Sequence, residues 1–146
     1  MTKSKLDREI ETRLYEHDVR YTGGRRAVVG ALAHAPGPMS AAELNEQLGS
    51  DVPLSSIYRT LSVLEDVEVV THHLGAKGLT RFELAEWLTG HHHHLVCLEC
   101  GAVEDVDIPI AEEERVRSLV TEIAALASFD VVDHALEIEG RCARCA

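Results

Sequence analysis

PLSSIYRTLSVLEDVEVVTHHL, residues 53–74, reads first as a helix and then as a strand. Ser55 or Ser56 can cap a helix over residues 55–66 in which Ile57, Leu61 and Leu64 face a core and Tyr58, Arg59 and Ser62 lie on the other side. From Val67 onward the β-formers of VEVVTHHL take over. With the Gly-containing turn GAKG at 75–78 and the following run LTRFELA they read as a hairpin.

Upstream, SAAE at 40–43 has the form of a capping box: Ser40 and Glu43 satisfy each other's free backbone donors while Leu44 and Leu48 face inward. APGP at 35–38 separates this third helix from RRAVVGALA, which Thr22 can cap. Leu6, Ile10 and Leu14 mark an amphipathic first helix, and GSDVP joins the third helix to the fourth. Helix, turn, helix and hairpin is the order of a winged helix-turn-helix, and the exposed pair Tyr58 and Arg59 suits a DNA-reading face. Ser55 and Ser56 join that face as DNA-binding candidates, and Arg20, Arg25, Arg26, Lys77 and Arg81 are candidate phosphate contacts. The plainer reading of Tyr58 and Arg59 is solvated surface.

Downstream, AEWLTG at 85–90 reads as a connector. HHHHLVCL, AVEDVDI and DVVDHALEIEG read as strands, with AEEERVRSLVTEIAALASF as a helix between the last two. The expected fold class is therefore α+β: a winged helix-turn-helix domain over residues 1–85, a hinge over 86–90, and a small α/β dimerisation domain over 91–146. Three strands are marginal alone, and edge-to-edge pairing of two copies would bury more area, so a homodimer is expected.

A net charge of −11 argues at first against a nucleic-acid partner, because phosphate binding relies on Lys and Arg. Its distribution changes that reading: residues 1–85 carry 10 basic and 12 acidic side chains, residues 86–146 carry 4 and 13. The acidity belongs to the second half, where metal cations would offset part of it. MTKSKLDREI has charges where a signal peptide needs an apolar run, and no stretch approaches the roughly 18 apolar residues of a membrane span. The expectation is a cytoplasmic protein with no membrane partner.

In a reducing compartment, the pairs Cys97/Cys100 and Cys142/Cys145 read as metal ligands instead of disulfides. Four thiolates in tetrahedral array select zinc, and with no open position such a site is structural. The 41 residues between the pairs mean that the ion would clip the chain's end to the first strand of the second half. Four free core cysteines are the bland alternative.

The run at 91–94 is then read by period. In a strand His91 and His93 share one face and His92 and His94 the other, so each face presents two imidazoles and needs partners from elsewhere. Candidates are Glu83 and His72 or His73 in the hairpin, and Glu112 and His134 in the second half. Taken singly, His134 is more often a core histidine, and Glu83 and Glu112 are more often solvated.

These segments resemble the ferric uptake regulator family over nearly the whole chain. VRYTGGRRAVVGAL is similar to its opening helix, PLSSIYRTLSVLEDVEVV to its recognition helix and wing, HHHHLVCLECGAVEDV to its metal-binding strand, and IEGRCARC to its terminal thiolate pair. The resemblance implies a dimeric, metal-dependent repressor on double-stranded operator DNA. It implies structural Zn2+ on Cys97, Cys100, Cys142 and Cys145. It also implies a hinge site on Glu83, His92 and His94, and a second site on His91, His93, Glu112 and His134. Many members place a further hinge histidine where Gly37, Pro38 and Met39 stand here, so the fourth hinge ligand falls to His34, His72 or His73. AEWLTG is two residues longer than the family pattern.

No cysteine is left for the hinge, and the remaining nitrogen and oxygen donors suit Fe2+, Mn2+, Ni2+ or Zn2+ alike; Fe2+ or Zn2+ is the expected corepressor, with peroxide-, nickel- or manganese-sensing members as alternatives. Two rivals come from other classes. A zinc-dependent hydrolase would need a substrate pocket and a positioned base, and a zinc-storage scaffold would leave the winged helix without a task.

Overall fold

The computed structural model describes residues 4–49 and 52–146; Ser50 and Asp51 of the GSDVP connection, and the first three residues of the charged amino-terminal stretch, lie outside them. Helix α1 (Lys5–Glu16) is capped by Ser4, whose hydroxyl accepts from the Asp7 amide, and it buries Ile10 and Leu14. Thr22 caps α2 (Gly23–His34) through the Arg25 amide, and Ser40 and Glu43 form the expected capping box of α3 (Ala41–Leu48). Helix α4 (Leu54–Asp66) differs from expectation at its start. It begins at Leu54 with Pro53 as its uncapped N-terminal neighbour, so Ser55 and Ser56 sit in the first turn and do not cap it. Proline's fixed φ prepares a helix start without a side-chain acceptor.

Ile57, Leu61 and Leu64 of α4 pack against Ile10, Leu14, Val28, Val29 and Leu44. The hairpin of β1 (Val70–Leu74) and β2 (Thr80–Leu84) closes this core from one side with Val70, Phe82 and Leu84. Its turn carries Lys77 at φ 62°. Met39 extends the hairpin: its amide donates to the Phe82 carbonyl (2.8 Å) and its carbonyl accepts from the Phe82 amide (2.7 Å). The stretch after the APGP breaker thus serves as a second partner for β2.

The connector forms a short helix, α5 (Glu86–Thr89). Beyond it β3 (His93–Cys97), β4 (Val103–Val106), α6 (Ile110–Leu126) and β5 (Glu137–Gly140) build a sheet in the order β4-β3-β5. β3 is antiparallel to β4 and parallel to β5, a pairing that needs a crossover, which α6 provides.

Several contacts fasten the first half to the connector and the sheet. The Asp105 amide of β4 donates to the Pro36 carbonyl (2.9 Å). At Gly37 a Cβ would lie 2.2 Å from the Val103 carbonyl oxygen, so only glycine permits this approach. Trp87 of α5 donates from its indole N–H to the Glu68 carbonyl (2.7 Å), under the Arg13 guanidinium 4.3 Å from the ring centre.

Candidate metal centres and DNA-reading face

The pairing of β3 with β4 and β5 brings both CxxC pairs to one corner. The turn after Cys97 returns Cys100, and the end of β5 delivers Cys142 and Cys145, so that the ligand atoms of all four lie within 4.8 Å of one another. The sulfurs of Cys100 and Cys142 are 3.8 Å apart. A tetrahedral zinc with bonds of about 2.3 Å separates its sulfurs by about that distance. The amides of Cys100 (3.5 Å) and Cys142 (3.4 Å) donate to the Cys97 sulfur and lower its pKa to about 6. Cys145, hydrogen-bonded to Cys142 and half-buried among the other thiols, is pushed up to about 12. One preformed thiolate and crowded neighbouring thiols are the electrostatics that a dication relieves.

The histidine run divides as its alternation requires, although regular strand begins only at His93. His92 and His94 share one cluster with Glu83 and Asp105, and His91 and His93 share another with Glu113 and His134. In the first, Glu83 Oε2 accepts from His92 Nε2 (2.9 Å) and His94 Nε2 (3.2 Å), while Oε1 accepts from His73 Nε2 (2.5 Å). Burial opposes ionisation of Glu83, yet hydrogen bonds from His73, His94 and His92 outweigh it and hold its carboxyl well below the usual range. Asp105 lies 3.3 Å from His94 and 3.5 Å from His92; its carboxylate and that of Glu83 raise His94 to about 10. His92 Nδ1 donates to the Gly90 carbonyl (3.0 Å) while Nε2 donates to Glu83, so both ring nitrogens carry protons, and an ion in the cluster would displace only the one on Nε2.

Several expectations need correction. His72 points to the opposite face of β1 and pairs with Glu65, and His34 folds back onto the Gly30 carbonyl, so neither reaches the hinge. His73 reaches Glu83 without entering the four-ligand set, and Asp105 completes it. Asp105 was missed, although it stands directly opposite His94 in the β3–β4 ladder, a register the hairpin could have revealed.

In the second cluster Glu113 replaces Glu112. His93 Nε2 (2.6 Å) and His134 Nε2 (3.2 Å) meet Glu113, whereas Glu112 is exposed and pairs with Arg115 (2.8 Å). One residue along a helix turns the side chain about 100°, which carries Glu112 off the facing side of α6. The hydrogen bond from His93 lowers the Glu113 pKa. His91 Nε2 and His93 Nδ1 are buried without hydrogen-bond partners, His91 Nε2 lying 3.2 Å from Glu113 Oε1 off hydrogen-bond geometry. An orphaned imidazole nitrogen beside a carboxylate, as at His91, fits a cation.

On the winged helix, Tyr58 (54% exposed) and Arg59 project from α4 and make no ion pair or side-chain hydrogen bond among the described residues. Ser55 and Arg20 are exposed and Ser56 is half-buried. Arg25 donates to the Arg20 carbonyl (2.5 Å), Arg26 lies over Tyr21 (4.0 Å) near Glu11, and Lys77 donates to the Glu99 carbonyl (3.1 Å). Arg81 is the misplaced member. It is buried and donates to Glu43 (2.8 Å) and the Pro38 carbonyl (3.2 Å), because it shares with Glu83 the face of β2 opposite Phe82 and Leu84, which the start of α3 covers.

A helix-turn-helix with its wing, a thiolate-bearing sheet and carboxylate-imidazole clusters define a winged-helix protein with preassembled metal-ligand sets. The ferric uptake regulator family model matches residues 16–139. The ferric uptake regulation protein of Bacillus subtilis is 31% identical over 148 aligned residues, covering 98% of this chain and 95% of that protein. The crystal structure of the Vibrio cholerae ferric uptake regulator, said to reveal structural rearrangement of the DNA-binding domains, is 30% identical with a TM-score of 0.70, covering 90% and 98% of the two chains. The Helicobacter pylori ferric uptake regulator, said to reveal three functional metal binding sites, shares the fold with a TM-score of 0.74 at 22% identity, covering 99% and 97%. The chain belongs to the ferric uptake regulator family, whose members are transcriptional regulators and not enzymes.

Proposed function

We propose that the chain is a metal-responsive repressor that acts as a homodimer on double-stranded operator DNA, with a divalent cation, Fe2+ or Zn2+, as corepressor. The observation that carries this reading is the position of Glu83. It belongs to the wing strand β2, yet its carboxylate lies among His92, His94 and Asp105 of the β3–β4 sheet. An ion held by these four residues would tie the winged helix of residues 1–85, through the hinge at 86–90, to the sheet-forming part at 91–146. Its binding free energy would then appear as DNA affinity, with coupling of about 1–3 kcal/mol. Two imidazoles and two carboxylates suit the named ions, and the four cysteines suit structural Zn2+.

Dimerisation is supported by β5, an edge strand, and by an apolar stripe on α6 in which Leu119, Ile123 and Leu126 are 55%, 58% and 89% exposed. Among the described residues no helix is long and apolar enough to cross a membrane. We place the protein in the cytoplasm with its DNA.

The test is a titration of Fe2+ or Zn2+ into the dimer with an operator selected from random duplexes. Wild type should gain at least tenfold in DNA affinity with the ion. The double variant His92→Ala/His94→Ala should stay a folded dimer and gain nothing, whereas His91→Ala/His93→Ala should retain most of the gain. Matching curves for wild type and both variants would refute the reading.

A further inference from the structure

The connector has a task that the proposed ion sites alone do not assign to it. His91 reaches into the Glu113 cluster through Nε2, and its other nitrogen, Nδ1, lies 3.1 Å from Glu86 Oε1 at the first turn of α5. A carboxylate accepts, so this contact puts the proton on Nδ1 and frees the Nε2 lone pair. Gly90, at the other end of α5, likewise fixes a proton on His92 Nδ1 with its carbonyl and turns Nε2 toward Glu83. Both acceptors thus come from the stretch 86–90, and one histidine of each cluster depends on it. Histidines that ligate metals generally need such an outer acceptor to fix tautomer and ring orientation.

We propose that Glu86 is a positioning residue for the second ion site: its carboxylate holds His91 in the Nδ1–H tautomer and aims Nε2 at the position shared with His93, Glu113 and His134. This rests on the reading of that cluster as an ion site. Asp133 also lies within ligand distance of Glu86 and His91, which raises a rival arrangement in which Glu86, Asp133 and His91 Nδ1 grip an ion themselves. The geometry favours positioning. Glu86 is half exposed and Asp133 exposed, whereas the buried, unpartnered nitrogen of His91 is the one facing Glu113.

The experiment uses the full chain with its thiolate site intact and Zn2+ as the probe, read by competition with a chromophoric chelator. Histidine side-chain 15N shifts report the tautomer of His91. His93→Ala should remove one exchangeable ion per chain and so identify the second site. Glu86→Ala should weaken that site 10–100-fold, leave the hinge affinity unchanged and abolish the Nδ1–H preference of His91. Glu86→Gln keeps an acceptor oxygen and should restore most of the affinity and the tautomer, while Asp133→Ala should change neither. Equal second-site affinity in wild type and Glu86→Ala would overturn the positioning role alone. So would a loss in Asp133→Ala as large as in Glu86→Ala with no rescue by Gln, since that pattern marks direct ligation. Equal stoichiometry in wild type and His93→Ala would overturn the second site and this role with it.

Discussion

Glu83 touches three imidazoles at once, and its ionisation and theirs are coupled. Without a cation, the pull of Asp105 and then Glu83 keeps a proton on His94 up to a pH of about 10, against 6.5 for a free histidine. The stabilisation from this pairing is complete below pH 6.5 and is lost as pH rises toward 10. The depressed Glu83 contributes above the ordinary carboxylate value of 4.5 and loses its contribution as pH falls below it. An ion must displace the His94 proton, so hinge affinity rises across the window in which the ion-free pairing weakens. We predict that with the hinge free of ion the melting temperature falls between pH 6.5 and 10, while the increment on adding Zn2+ grows; scanning calorimetry at several pH values checks both. A flat increment would contradict the prediction. At the thiolate corner, Cys142→Ser should release one zinc per chain and lower the melting temperature, because β5 loses its tether to β3. Metal analysis together with thermal unfolding measures this.

At the level of elements, α4 and β2 carry cations with opposite fates. Arg59 lies open on α4, so Arg59→Ala and Tyr58→Ala should each weaken operator binding by about 1–3 kcal/mol with stability unchanged. Arg81→Ala should instead lower folding stability by about 1–3 kcal/mol, since it removes the cation beside Glu43 and leaves the Pro38 carbonyl without its donor. Denaturant titration beside a DNA-binding assay separates the two effects. The same contrast shows how far the sequence could be read. Period located every helix over residues 5–66, with caps marking the starts of α2 and α3, and the two-residue alternation of the histidine run sorted its members into the clusters they join. Contacts set by the mutual rotation of elements were not legible. A helix start shifted by one residue exchanges Glu112 for Glu113, an undrawn hairpin register hides Asp105, and a buried arginine paired across 38 positions looks like a surface cation.

At the scale of the whole molecule, the winged helix and the sheet meet at the hinge carboxylates, while α6 leaves its apolar stripe uncovered. Leu126→Asp should shift a dimer toward monomer at micromolar concentration, read by sedimentation equilibrium, with the zinc content of the thiolate corner retained. The docking of Trp87 has a practical consequence. It is the chain's single tryptophan, and its indole sits at the joint, hydrogen-bonded to Glu68 and shadowed by Arg13. Indole emission shifts in colour and brightness when its hydrogen bond or a nearby cation is lost, so the protein carries a native optical gauge of how its two halves sit against each other. A swing of the reading head should be visible in unlabelled protein, in real time, as a change in fluorescence.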